Sequence, residues 1–178
     1  MLRQRIITAL IMAGLFLAAI IFLSQPALAA VFAVLVLAGG WEWSRMSGWE
    51  SPIARILFLL VLAGVLGGLY VRCGLGATPD REKVQPVFGF ACLWWSFALL
   101  WVKSYPASAA LWNNRVMRSL IGLLILAPAW TAAVYLLSYP RGGLLLVILI
   151  AVVAAADIGA YFAGKSFGRH KLAPAVSP

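Results

Sequence analysis

The chain has 178 residues, 64% of them apolar and 11% charged, with fourteen Lys and Arg against five Asp and Glu. An average soluble domain carries about 25% charged residues, so this composition excludes a disordered segment, a coiled coil and a nucleic-acid-binding module. A soluble core of this size cannot hide so much apolar surface; the solvent must be lipid, and about 20 residues per span leave room for about six transmembrane helices.

The first apolar run, Ile6–Leu23, follows Arg3 and Arg5. Ala27-Leu28-Ala29 mimics a signal-peptidase site. The run nevertheless exceeds the usual signal core of about 7–15 residues, and apolar sequence resumes at once. It is therefore expected to be a retained span. The second run, Ala27–Trp43, ends among Trp41, Trp43 and Trp49, which are expected to form an interfacial belt. Glu42 lies between two of these tryptophans and is read as an interfacial carboxylate near Arg45.

The third run is Ile53–Val71 and the fourth Val84–Val102. Cys73 and Cys92 have no Cys-x-x-Cys context, and His170 is the only histidine. A zinc site is not expected, and both cysteines read as small apolar filler. The fifth run, Ser119–Leu137, contains Pro128, which is expected to kink the helix or free a carbonyl that a neighbour must cover. The other prolines, Pro86 among them, read as markers in or beside breaks. The sixth run is Leu144–Ala163. Backbone groups in lipid must be paired internally, and no run shows period-two alternation, so the runs read as helices. No internal repeat supports an inverted-repeat transporter.

With the N-terminus in the cytoplasm, the inner segments hold Arg3, Arg5, Arg45, Arg55, Lys103, Arg115, Arg118, Lys165, Arg169 and Lys171. The outer segments hold Arg72, Arg81, Lys83 and Arg141. That bias favours the N-inside orientation, and the Arg72–Lys83 loop is the part that dissents.

The chemistry is expected near Asp157, which follows thirteen uncharged, mostly apolar residues. An intramembrane carboxylate is costly and marks function by default; a structural ion pair is the competing explanation. Asp157, Tyr161, Lys165 and Arg169 recur every four residues and would form one polar stripe on a continuing helix. Ala156, Ala160, Gly164 and Gly168 recur on an adjacent face and would permit close helix approach. Lys165, Arg169 and Lys171 beside a carboxylate suit a phosphorylated substrate, with the carboxylate able to hold a divalent metal. Ordinary positive-inside residues are the plainer reading of the same cations.

The stretch Ala156-Asp157-Ile158-Gly159-Ala160-Tyr161-Phe162-Ala163-Gly164-Lys165 is followed by Gly168-Arg169, Lys171-Leu172-Ala173-Pro174 and Ser177-Pro178. It closely resembles the phosphatidate cytidylyltransferase (CDP-diacylglycerol synthase) family. Met1-Leu2-Arg3-Gln4-Arg5 and Trp41-Glu42-Trp43 also look like bacterial members. The resemblance implies that CTP and phosphatidate react, with Mg2+, to give CDP-diacylglycerol and pyrophosphate. It implies Asp157 as the catalytic, metal- or nucleotide-positioning residue and Lys165 and Ser177 as substrate-binding residues, with Tyr161, Arg169 and Lys171 beside them. CTP, phosphatidate and membrane lipid are the implied partners, with a second copy of the chain as a further one and no nucleic acid. A bacterial inner-membrane location is also implied.

Two positions depart from the pattern: Ile158 stands for a usual Thr and Ala175 for a usual Lys. In the family, Ser-Pro continues into Lys-Thr-Trp-Glu-Gly, further spans and a C-terminal signature with paired aspartates, none of which occurs in residues 1–178. The expectation is therefore an all-α polytopic transmembrane bundle of about six spans, one integral membrane domain over residues 1–178. It is read as truncated relative to the family and inactive alone. The alternatives are a small transporter or channel using Asp157 and an inert membrane remnant.

Overall fold

The computed structural model describes residues 2–168. Among these there are seven helices and no strand: α1 (Leu2–Phe22), α2 (Gln25–Met46), α3 (Pro52–Arg72), α4 (Arg81–Lys103), α5 (Ala109–Trp112), α6 (Arg115–Leu137) and α7 (Gly142–Phe167). The helices α2, α3, α4, α6 and α7 are long and apolar enough to cross a membrane; the apolar part of α1, Ile7–Phe22, is shorter. The expected all-helical, multi-pass architecture is present, with α5 as one extra turn between the fourth and fifth predicted runs.

Local sequence explains the helix starts. Pro26 and Pro52 occupy first-turn positions of α2 and α3, where a missing N–H removes no helical bond. Asp80 caps α4 by accepting from the Glu82 N–H at 3.1 Å, and Asn114 caps α6 by accepting from the Met117 N–H at 2.7 Å. One proline reading needs revision. Pro86 is not in a break; it lies inside α4, one turn beyond the capped start. Helix α6 runs uninterrupted through Pro128.

Helix α6 is the hub. It packs against α2, α3, α4 and α7, while α2 also packs on α3 and α7 touches α1. The core forms along its buried face with Ala127, Trp130, Thr131 and Val134, met by Leu28, Ala29 and Phe32 of α2 and Phe58, Leu62 and Leu66 of α3. The Trp130 indole N–H donates to the Ala29 carbonyl at 3.1 Å, and Tyr70 of α3 lies against its ring. Ala29, at the end of the signal-peptidase mimic, is thus a buried helical residue. Thr131 is fully buried and satisfies its hydroxyl on the Ala127 carbonyl at 2.8 Å.

Close approach at the other end depends on glycine. A Cβ on Gly122 of α6 would run into the Trp43 indole, and one on Gly40 of α2 would meet Leu62 at 2.7 Å. The Trp43 N–H donates to the Arg118 carbonyl at 2.8 Å, and Trp49 donates to Ser119 Oγ at 2.8 Å. Arg55 stacks over Trp41 and Arg115 over Trp49. The tryptophans expected to form a lipid belt therefore also tie α2 to α6 and α3. Glu42 and Arg45 are both exposed, and the one ion pair among the described residues is Lys83–Asp80 at 2.8 Å. Cys73 is fully buried, as filler should be, whereas Cys92 sits on an exposed face of α4; neither is in a disulfide.

Candidate functional site on helix α7

Helix α7 begins at a tight junction. Arg141 takes a left-handed conformation (φ 61°), and Gly142 comes so close to Leu136 and Leu137 that no side chain would fit there. Gly143 sits against Ile20 of α1 in the same way. Leu146 is buried, and a cavity beside it is lined by Phe16, Phe32, Ala129, Trp130, Ala133 and Ile150. From Ile148 to Gly168, however, every residue is exposed. The second half of α7 stands apart from the other described helices.

The candidate residues lie on this second half. Helix α7 has 26 residues, about 39 Å at 1.5 Å per residue, against about 30 Å of hydrocarbon. Asp157 lies about 22 Å from the helix start and Lys165 about 35 Å. With the start of α7 at one boundary, Asp157 falls about 8 Å inside the opposite boundary and Lys165 about 5 Å beyond it. The helix continues to Phe167, so the four-residue spacing of Asp157, Tyr161 and Lys165 does form one stripe. No hydrogen bond or ion pair joins these three to another described residue. Tyr161 packs edge-on against Phe162. Arg169, Lys171 and Ser177 lie outside the described residues.

The stripe of small residues stops one step early. Gly168 is the residue that ends α7, not a helical position. Nothing lies within 4 Å of a Cβ placed on Gly159 or Gly164. Among the described residues, no three His, Cys, Asp or Glu side chains come close enough to hold a metal ion. Asp157 supplies one hard oxygen donor group, which does not by itself enclose Mg2+.

Helix directions define two ends. Trp43 of α2 meets the start of α6, and Ala29 meets its middle, so α2 and α6 are antiparallel. Phe88 of α4 meets Tyr135 and Leu146 of α7 meets the second half of α6, so both run the same way as α2. Lys165 thus points to the end that also holds Arg45, Arg55, Lys103, Arg115 and Arg118. The Trp-lined surface there includes a cavity of about 390 Å³ walled by Trp94, Trp101, Tyr105, Trp112, Ile121 and Ile125. The sequence reading missed a second polar cluster at the other end: Arg81, Gln85, Tyr135 and Tyr139. Its residues come from the start of α4, the end of α6 and the turn after it, far apart in sequence, and no local motif signals it.

Fold and site together define a multi-pass helical membrane protein that carries a carboxylate, a phenol and an ammonium along one face of its last described helix. The chain belongs to the Cytidylyltransferase family, whose profile matches residues 3–178. It is 38% identical over 178 residues to a phosphatidate cytidylyltransferase of Pseudomonas aeruginosa and 32% identical over 192 residues to one of Haemophilus influenzae. All of the chain is covered in both matches, and it spans 63% and 65% of those relatives' lengths. No solved structure matches it.

Proposed function

We propose that the chain serves cytidylyl transfer from CTP to phosphatidate, yielding CDP-diacylglycerol and pyrophosphate, at the inner membrane of a bacterium with its N-terminus in the cytoplasm. The single observation that carries this reading is the placement of Asp157 and Lys165 along one exposed stripe of α7, inside a chain whose whole length aligns with phosphatidate cytidylyltransferases. Attack of a phosphate on the CTP α-phosphorus needs positioning and charge neutralisation more than covalent help from the protein. A carboxylate about 8 Å inside the hydrocarbon boundary and an ammonium about 12 Å further along the helix straddle the level where a lipid phosphate and a soluble nucleotide must come together. Lys165 neutralises phosphate oxygens, and Asp157 positions the nucleotide. Arg169, Lys171 and Ser177 complete the substrate contacts in this proposal. Mg2+ belongs to the proposal as a requirement of the reaction.

The test is a chimaera in which residues 1–178 replace the matching part of the Pseudomonas aeruginosa relative. CTP-dependent formation of CDP-diacylglycerol is measured in proteoliposomes containing phosphatidate. Turnover that falls by about 100-fold or more in Asp157→Asn supports the reading, the size expected when one group that stabilises transferring charge is removed. A membrane-inserted chimaera without turnover counts against it, and an Asp157→Asn chimaera with full activity removes Asp157 from the machinery. The transporter reading makes the opposite demand, pH-dependent flux without CTP. The whole-length family match gives it no support.

A further inference from the structure

We propose that the end of the bundle opposite Lys165 binds the phosphodiester headgroup of an anionic phospholipid, in the cleft between the start of α4 and the end of α6. The cleft is a cavity of about 360 Å³ lined by Arg81, Val84, Gln85, Phe88, Tyr135 and Tyr139. Four of these six side chains end in hydrogen-bonding groups. Arg81 brings a guanidinium fork, which matches two phosphate oxygens at once. Tyr139 donates its hydroxyl to Tyr135 at 3.0 Å. That leaves the Tyr135 hydroxyl hydrogen, like the Gln85 amide, to be donated to an acceptor in the cleft.

The charges around the cleft favour an anion there. Lys83 is occupied by Asp80 at 2.8 Å, whereas Arg81 makes no ion pair with a described residue. The lower wall is apolar: Val84 is buried, and Phe88 packs edge-on against Tyr135 at 5.8 Å. A cation and three polar groups above an apolar floor, on two membrane-spanning helices and the turn that follows one of them, fit a lipid that offers phosphate above and hydrocarbon below. Helix α6 has 23 residues, so this end lies about 30 Å or more from the end to which Lys165 points. The lipid bound here is therefore not the one presented to Asp157, and the inference does not depend on the proposed reaction. It also accounts for the loop that dissents from the positive-inside pattern: Arg81 serves a ligand there, not orientation.

The purified 178-residue chain, reconstituted in nanodiscs of equimolar phosphatidylglycerol and phosphatidylcholine, is released into detergent, and retained lipid is measured by native mass spectrometry. Phosphatidylglycerol is expected to be retained preferentially. Retention is expected to fall at least about fivefold in Arg81→Gln and in Tyr135→Phe, to recover partly in Arg81→Lys, and to be unchanged in Arg72→Gln. Tyr135→Phe keeps the ring and guards against a folding defect at Arg81. Equal retention of the two lipids overturns the proposal. So does unchanged retention in both Arg81→Gln and Tyr135→Phe, or an equal fall in Arg72→Gln, which would mark diffuse surface charge.

Discussion

The two halves of the hub-and-spoke arrangement can be compared through helices α6 and α7. Both are long, apolar and preceded by a polar turn. Helix α6, packed against four neighbours, buries Gly122, Ala127, Trp130, Thr131 and Val134, while α7 buries Gly142 and Leu146 and leaves its residues from Ile148 to Phe167 exposed. Apolarity does not separate the two, because lipid tails are as apolar as leucine. What separates them is interlocking shape and internal hydrogen bonds: an indole over a glycine, an indole N–H on a carbonyl, a threonine folded back on its own helix. The candidate chemistry lies on the helix that lacks such partners.

Four perturbations bear on that contrast. The largest effect is expected for Trp130→Ala, which removes the donor to Ala29 and opens a cavity beside Tyr70. A loss of about 3 kcal/mol is expected, read as the unfolding midpoint of the chain in detergent. Gly122→Leu comes next, at about 1–3 kcal/mol, because the new side chain must displace the Trp43 indole and its bond to Arg118.

Gly164→Leu is the matching change on α7 and should alter stability by less than about 0.5 kcal/mol, since nothing lies near its Cβ position. A penalty equal to that of Gly122→Leu would break the comparison outright. The smallest effect at neutral pH is expected for Asp80→Asn. Hydrogen bonding from Lys83 holds the Asp80 carboxyl below the ordinary aspartate value of 3.8. A depressed value means the contribution is whole above that ordinary value and is lost as pH falls through the folded one. Asp80→Asn should lower the neutral region slightly and converge with the parent chain in acid, so that the acid limb of a thermal-stability profile is flatter; an unaltered acid limb would remove Asp80 as its source.

Much of this protein was legible residue by residue. The six apolar runs each correspond to a helix, and the spacing of Asp157, Tyr161 and Lys165 already implies the stripe on α7. Two errors have physical causes. The sequence pattern puts Pro86 in or beside a break, yet an N–H lost in the first turns of a capped helix is a small defect when the rest of α4 is intact. Gly168 was read as a helical position because a periodic pattern does not mark its own end; the helix stops there. The tryptophans were placed at an interface, but their N–H groups were found turned into the protein, on Arg118 and Ser119.

The sequence by itself determined the lipid solvent, the element type, the place of each apolar helix and the spacing of Asp157, Tyr161 and Lys165 along one of them. These follow from composition and from the rule that backbone groups in lipid must pair within the segment. Only the tertiary structure decided which faces meet protein: that α6 is the hub, that α7 leaves it after Ile148, and that Arg81 and Tyr139, 58 positions apart, line one cleft. The reason is that in a membrane an apolar face has the same affinity for a lipid tail as for a neighbouring helix. Partner choice passes to steric fit and a few hydrogen bonds, and those depend on residues brought together from distant parts of the chain.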